Sequence, residues 1–193
     1  MATTPKILAF AGSARKKSFN KILLAAAVDG AREAGAEVTL IDLRDYPLPI
    51  MDEDLEAEVG VPENARKLKD LFGAHHGLLI ATPEYNSSIT PLLKNTIDWV
   101  SRPEPPDVPM LKSIWGKTAA LLSASPSVTG GMRGLVPLRM MFGNIGVTVL
   151  PDTYSVASAG DAVDDHGALK EPHAASAKAV GAALANTLKK LLA

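Results

Sequence analysis
Five short apolar segments alternate along this chain with five longer segments of helical period. Lys6–Ala11 (KILAFA) and residues 76–82 (HGLLIAT) are nearly continuous apolar runs, residues 37–43 (EVTLIDL) alternate, and residues 117–123 (KTAALLS) and 147–150 complete the set. Between them, residues 20–34, 63–73, 92–101, 133–144 and 173–192 repeat apolar side chains every three or four positions, as one face of a helix does. A strand apolar on both sides needs cover on both sides, and a parallel sheet flanked by helices supplies it. The alternation therefore predicts a single α/β domain over residues 1–193, a doubly wound sheet of five parallel strands with helices on both faces. Ligands of such sheets sit beyond the carboxyl ends of the strands. The segments after Ala11, Thr82 and Ser123 are thus the places to look.

Composition narrows the chemistry. The chain has no cysteine, which removes disulfides, thiolate nucleophiles and thiolate metal sites together. Its 20 Lys and Arg against 21 Asp and Glu leave a net charge of −1, without the positive field that a nucleic-acid binder needs. No run approaches the length of a membrane span and the first residues do not read as a secretory signal, so a cytoplasmic location is expected. Residues 44–64 read as a long loop whose Asp52, Glu53, Asp54, Glu56 and Glu58 form a solvated face, and residues 102–110 as a second, Pro-rich loop. His75 and His76 fall at the amino end of a strand, opposite the ligand edge. No metal ligation is expected of them.

The first ligand-edge loop carries Gly12, Ser13, Arg15, Lys16, Lys17, Ser18 and Asn20 and opens a helix. Free amide N–H groups at a helix start, with hydroxyls and a guanidinium nearby, suit a phosphate. The loop is neither a dinucleotide fingerprint nor an NTP-binding P-loop. A tyrosine phosphatase would attack with a cysteine, and none exists. The second loop, Thr82-Pro83-Glu84-Tyr85-Asn86-Ser87-Ser88, is stiffened by proline and leads to Pro91 at a favourable first helical position. The third loop contains Ser125 and the pair Gly130-Gly131, which fits close backbone approach.

Taken together, Gly12-Ser13-x-Arg15-x-x-Ser18-x-Asn20 and Pro83-Glu84-Tyr85-Asn86 followed by Leu93-Lys94-Asn95-x-Ile97-Asp98-Trp99 resemble the NADPH-dependent FMN reductase family, which includes bacterial chromate and quinone reductases and azoreductase-like flavoproteins. The resemblance spans residue 7 to about residue 146. It implies a flavodoxin-like fold and non-covalent FMN, with Ser13, Arg15, Ser18 and Asn20 at the phosphate. It further implies Pro83, Glu84, Tyr85 and Asn86 along the isoalloxazine and ribityl group, and Ser125, Gly130 and Gly131 at the third loop.

The same resemblance implies a ping-pong NAD(P)H oxidoreductase, using NADPH or NADH, with no catalytic side chain, the chemistry being carried by FMN. Quinones, free flavin, azo compounds and chromate are the implied small-molecule acceptors. A flavodoxin-like electron carrier and a flavin-binding regulator are the alternatives. Near-neutral charge and a single aromatic, Tyr85, in the flavin loops favour the reductase. A homodimer or homotetramer is also implied, with residues 92–99, Trp115 and the 102–110 loop as contacts; Trp99 fits an interface anchor or the core equally. Met140, Met141 and Phe142 read as core, and residues 157–172 as a plain connection.

Overall fold
The computed structural model describes residues 3–104 and 109–193. Part of the 102–110 loop, including Pro105 and Pro106, therefore lies outside the described residues. The strands are β1 (Lys6–Ala11), β2 (Glu37–Ile41), β3 (Gly77–Ala81), β4 (Thr118–Ala124) and β5 (Thr148–Val156). The helices are α1 (Phe19–Glu33), α2 (Glu53–Val59), α3 (Glu63–Ala74), α4 (Pro91–Ser101), α5 (Met132–Asn144) and α6 (His173–Leu191). All four strand pairings are parallel, in the order β2-β1-β3-β4-β5. That order is the flavodoxin-like one, with its reversal between β1 and β3. Among the described residues no helix is long and apolar enough to cross a membrane.

The two faces of the sheet are built from different side chains. Ile7, Ala9, Ala11, Ala81, Ala120 and Ala124 point toward α1 and α6, whereas Leu8, Phe10, Leu78, Ile80 and Leu121 point toward α3, α4 and α5. The alanine-rich side lets α1 and α6 come very close. A Cβ on Gly181 would stand 1.8 Å from the Ala27 carbonyl oxygen, and one on Gly30 would stand 2.1 Å from that of Lys178.

Four expectations need correction. Residues 44–64 are not all loop, because Asp52 caps α2 by accepting from the Asp54 and Leu55 amides at 2.8 and 3.4 Å. The acidic run is only partly a solvated face: Glu56 accepts from Arg102 Nε at 2.9 Å, and Glu53 also lies against that guanidinium. The last strand does not stop at Leu150. It continues past Pro151 through a register shift opposite Ala119 and Leu121, a bulge that an edge strand tolerates. Met140, read as core, is 65% exposed.

At the amino edge His75 is buried, its Nδ1 2.6 Å from the Leu71 carbonyl and its Nε2 2.8 Å from Thr39 Oγ1. His76 Nδ1 accepts the Lys6 backbone N–H at 3.0 Å, which requires that nitrogen to be unprotonated. Burial, then the charges of Lys117, Lys6 and His75, push the His76 imidazole below its ordinary 6.5. The unfolded chain therefore takes up this proton first on acidification. The stabilising contribution is complete above about pH 6.5 and is lost as pH falls through the lower folded value. Denaturation midpoints of wild type should fall between pH 7 and 5 more steeply than those of His76→Asn. Equal slopes would show that His76 does not couple to folding.

Candidate functional site
Three strand-to-helix loops meet at the carboxyl edge of the sheet, where β1, β3 and β4 end. In the first, Gly12 donates to the Ala81 carbonyl at 2.9 Å, fixing the chain as it leaves β1. A Cβ at Gly12 would lie 2.4 Å from Thr82 Oγ1, so no larger residue fits this exit. Of the backbone N–H groups from Ser13 to Asn20, among the described residues, only that of Arg15 donates to a protein acceptor, Ser13 Oγ at 3.4 Å. Ser18 caps α1 by backbone position alone, with no hydrogen bond from its side chain, although the residue is only 3% exposed. Arg15 lies with its guanidinium 5.8 Å from the Phe19 ring centre, and Lys16 and Lys17 add two exposed cations. A loop with unused amide donors, an unused hydroxyl and three cations is an anion receptor.

The second loop is a tight hairpin turn. Tyr85 and Ser88 exchange both backbone hydrogen bonds at 3.0 Å, and Asn86 and Ser87 between them have φ of 51° and 64°. These are the values of a type I′ turn, where asparagine is favoured and serine carries some strain. The turn presents Tyr85, 49% exposed, at the cleft. Behind it Thr90 Oγ1 caps α4, accepting from the Leu93 amide at 3.2 Å while donating to the Gly12 carbonyl at 2.8 Å.

Each pair of loops is tied by side chains. Thr90 joins the second to the first. Asn20 joins the first to the third: its Nδ2 donates to the Ala124 carbonyl at 2.8 Å and its Oδ1 accepts the Ala124 N–H at 2.9 Å. Glu84 joins the second to the third, its carboxylate accepting from the Arg133 amide at 3.1 Å and from Arg133 Nε at 2.9 Å, at the start of α5. A carboxylate in that position also meets the positive end of the helix.

Eight of the eleven residues singled out from sequence line one cleft: Ser13, Arg15, Ser18, Asn20, Pro83, Glu84, Tyr85 and Ser125. Asn86, Gly130 and Gly131 do not line it. Asn86 sits in the hairpin turn. The glycine pair meets the protein itself. Gly130 and Gly131 have φ of 62° and 83°, and a Cβ on Gly130 would be 2.9 Å from the Ala157 nitrogen. Sequence reasoning gave no role to Thr90 or Arg133; Thr90 ahead of Pro91 at the helix start was the available signal, and Arg133 left none. The segment Leu93 to Trp99 turns out to anchor the 49–51 loop. Asn95 Nδ2 and Trp99 Nε1 both donate to the Pro49 carbonyl at 2.8 Å, and the Met51 amide donates to Asn95 Oδ1 at 2.8 Å. Trp99 is fully buried and belongs to the core, so it is no interface anchor.

Residues 5–161 match the family model described as NADPH-dependent FMN reductase. The chain belongs to the NADPH-dependent FMN reductase family. An NAD(P)H-dependent FMN reductase of Pseudomonas aeruginosa is 35% identical over 176 residues, 90% of this chain and 89% of that one. A quinone reductase of Pseudomonas putida strain KT2440 is 30% identical over 174 residues, 89% of this chain and 88% of that one. Among solved structures, the flavoenzyme NAD(P)H:(acceptor) oxidoreductase FerB of Paracoccus denitrificans superposes with a TM-score of 0.77 at 27% identity, over 97% of this chain and 98% of that one. As a member of the FMN reductase family the chain is an oxidoreductase with FMN as cofactor and NAD(P)H as co-substrate. The anion receptor at the start of α1, beside a cleft open at the sheet edge, has the donor chemistry that the phosphate of a flavin mononucleotide needs.

Proposed function
We propose that this FMN reductase is a cytoplasmic NAD(P)H:quinone oxidoreductase of ping-pong type, whose further acceptors include free flavin, azo compounds and metal oxyanions such as chromate. The observation that carries the reading is the row of unused donors from Ser13 to Asn20 opening onto the cleft. Ser13, Arg15 and Ser18 hold the FMN phosphate, with Asn20 setting the position of their loop against β4. Pro83, Glu84 and Tyr85 flank the isoalloxazine and ribityl region from the second loop and Ser125 from the third, while Asn86, Gly130 and Gly131 give those loops their shape. FMN, when bound, would supply the two-electron chemistry between nicotinamide and acceptor. The protein side chains would bind and orient it in a cleft open to solvent beside Tyr85, so that donor and acceptor use the same space in turn. Anaerobic mixing of the holoprotein with NADPH or NADH should bleach the flavin, and added benzoquinone should restore the colour. An unbleached flavin with both nucleotides would make the protein an electron carrier or regulator.

We also propose a homodimer or homotetramer, through a different surface from the one the sequence suggested. Met132, Val136 and Met140 lie one turn apart on α5 and are 57%, 69% and 65% exposed, with Val128 ahead of them 88% exposed. An apolar stripe of that length on a surface helix supports association. Val136→Glu combined with Met140→Glu should turn the wild-type oligomer into a monomer in light scattering at micromolar concentration. A monomeric wild type would refute the assembly.

A further inference from the structure
We propose that a groove beside the phosphate loop holds the adenylate half of the nicotinamide nucleotide and selects NADPH through its 2′-phosphate. The inference rests on the reading that NAD(P)H delivers electrons to FMN in the neighbouring cleft. The groove, of about 470 Å³, runs between the outer face of α1, the segment 167–169 and the first turn of α6. Ser18 lines both this groove and the cleft, and Lys16 of the same loop lines the groove, so the two spaces adjoin at the phosphate loop. A dinucleotide with its nicotinamide in the cleft needs a second space, within reach, for its other half.

The groove has the chemistry of that other half. Its floor is Ile22, Ala25, Ala26 and Leu169, small or flat enough to take the face of a purine. Its rim carries Lys16, Lys21 and Lys178 against one carboxylate, Asp29, among the described residues. Lys21 and Lys178 are held in place by acids outside the groove lining, Asp42 at 2.5 Å and Glu33 at 2.6 Å. Lys16 has no ion pair among the described residues, and Lys21 and Lys178 each keep N–H donors beyond the one their acid accepts, so charge-assisted donors remain to meet a 2′-phosphate. Asp29 is a suitable acceptor for a ribose hydroxyl. A larger hollow, between α3 and Glu104, Lys112 and Ser113, shares no residue with the cleft and has no such connection.

The test uses the holoprotein and two variants at groove positions outside the FMN cleft, Ala25→Glu and Lys178→Gln. Flavin reduction is followed by stopped flow with NADPH, NADH and reduced nicotinamide mononucleotide, which lacks the adenylate. Binding of 2′,5′-ADP is measured by calorimetry. Wild type should prefer NADPH and bind 2′,5′-ADP in competition with it. In Ala25→Glu the KM for NADPH should rise about tenfold, and in Lys178→Gln the NADPH preference should shrink, with 2′,5′-ADP binding weakened in both. Reduction by the mononucleotide, FMN affinity and the KM for benzoquinone should stay as in wild type. If both variants keep wild-type NADPH kinetics and 2′,5′-ADP affinity, the groove is not the adenylate site. If no nucleotide bleaches the flavin, mononucleotide included, the reductase reading itself fails and the inference with it.

Discussion
Replacing Asn20 by alanine is expected to cost about 3 kcal/mol of stability and to weaken FMN binding at least tenfold. The stability figure is two buried hydrogen bonds at about 1 kcal/mol each plus the desolvation of the groups left without partners. The position explains the size. β3 pairs with β4 up to Ala81 opposite Leu122, and the Thr82 amide still reaches the Leu122 carbonyl at 3.0 Å. One step further the backbone of Ala124 has no strand beside it on that side. The Asn20 carboxamide takes the place of a peptide there, giving an acceptor to the Ala124 N–H and a donor to its carbonyl. Removing it leaves two buried backbone groups unpaired and frees the phosphate loop from the sheet. Urea unfolding gives the first quantity and quenching of flavin fluorescence on titration gives the second. Asn20→Asp should fail as well, because it keeps the acceptor but loses the donor and adds a negative charge beside the phosphate loop. A variant that loses FMN affinity with unchanged stability would mean that Asn20 touches the cofactor without tying the loops.

Gly181→Ala is expected to destabilise the protein by about 3 kcal/mol, against the direction that helix propensity alone gives. In an exposed helix interior, alanine for glycine gains about 1 kcal/mol. Here the added methyl would overlap the Ala27 carbonyl of α1 at 1.8 Å, and the helices would have to separate by more than an ångström. Separation at this crossing also pulls Leu184, Ala185 and Leu188 of α6 away from the alanine-rich face of the sheet. Overpacking of this kind at a rigid backbone contact is costly. Thermal unfolding by circular dichroism measures it. A raised Tm would mean that α1 and α6 are not in backbone contact at Gly181.

Much of the fold was legible because its signals are local. Continuous apolar strands such as Gly77–Ala81 and helices of plain periodicity follow from the chain alone, and their alternation dictates a parallel sheet. The misses have physical causes. Helix α2 has only seven residues, no buried side chain and a first turn crowded with acids, so only the Asp52 cap marked it. Pro151 ends most strands, and what carries β5 past it is a bulge on an edge with no sequence sign. At the site, the loops were legible from topology and the phosphate receptor from Ser13, Arg15 and Ser18. The ties between loops were not, since Asn20 to Ala124 spans 104 positions and Glu84 to Arg133 spans 49. Trp99 illustrates the same limit, because its partner Pro49 is 50 positions away.

The three loop ties have a thermodynamic meaning for cofactor exchange. Thr90, Asn20 and Glu84 hold the receptor by contacts that contain no ligand atom, so its shape is encoded in the polypeptide rather than induced. Little chain entropy is then lost when the flavin docks, and the free energy of its phosphate contacts goes into affinity instead of ordering. In the proposed complex the polypeptide brings a formed socket, and the flavin is a replaceable part.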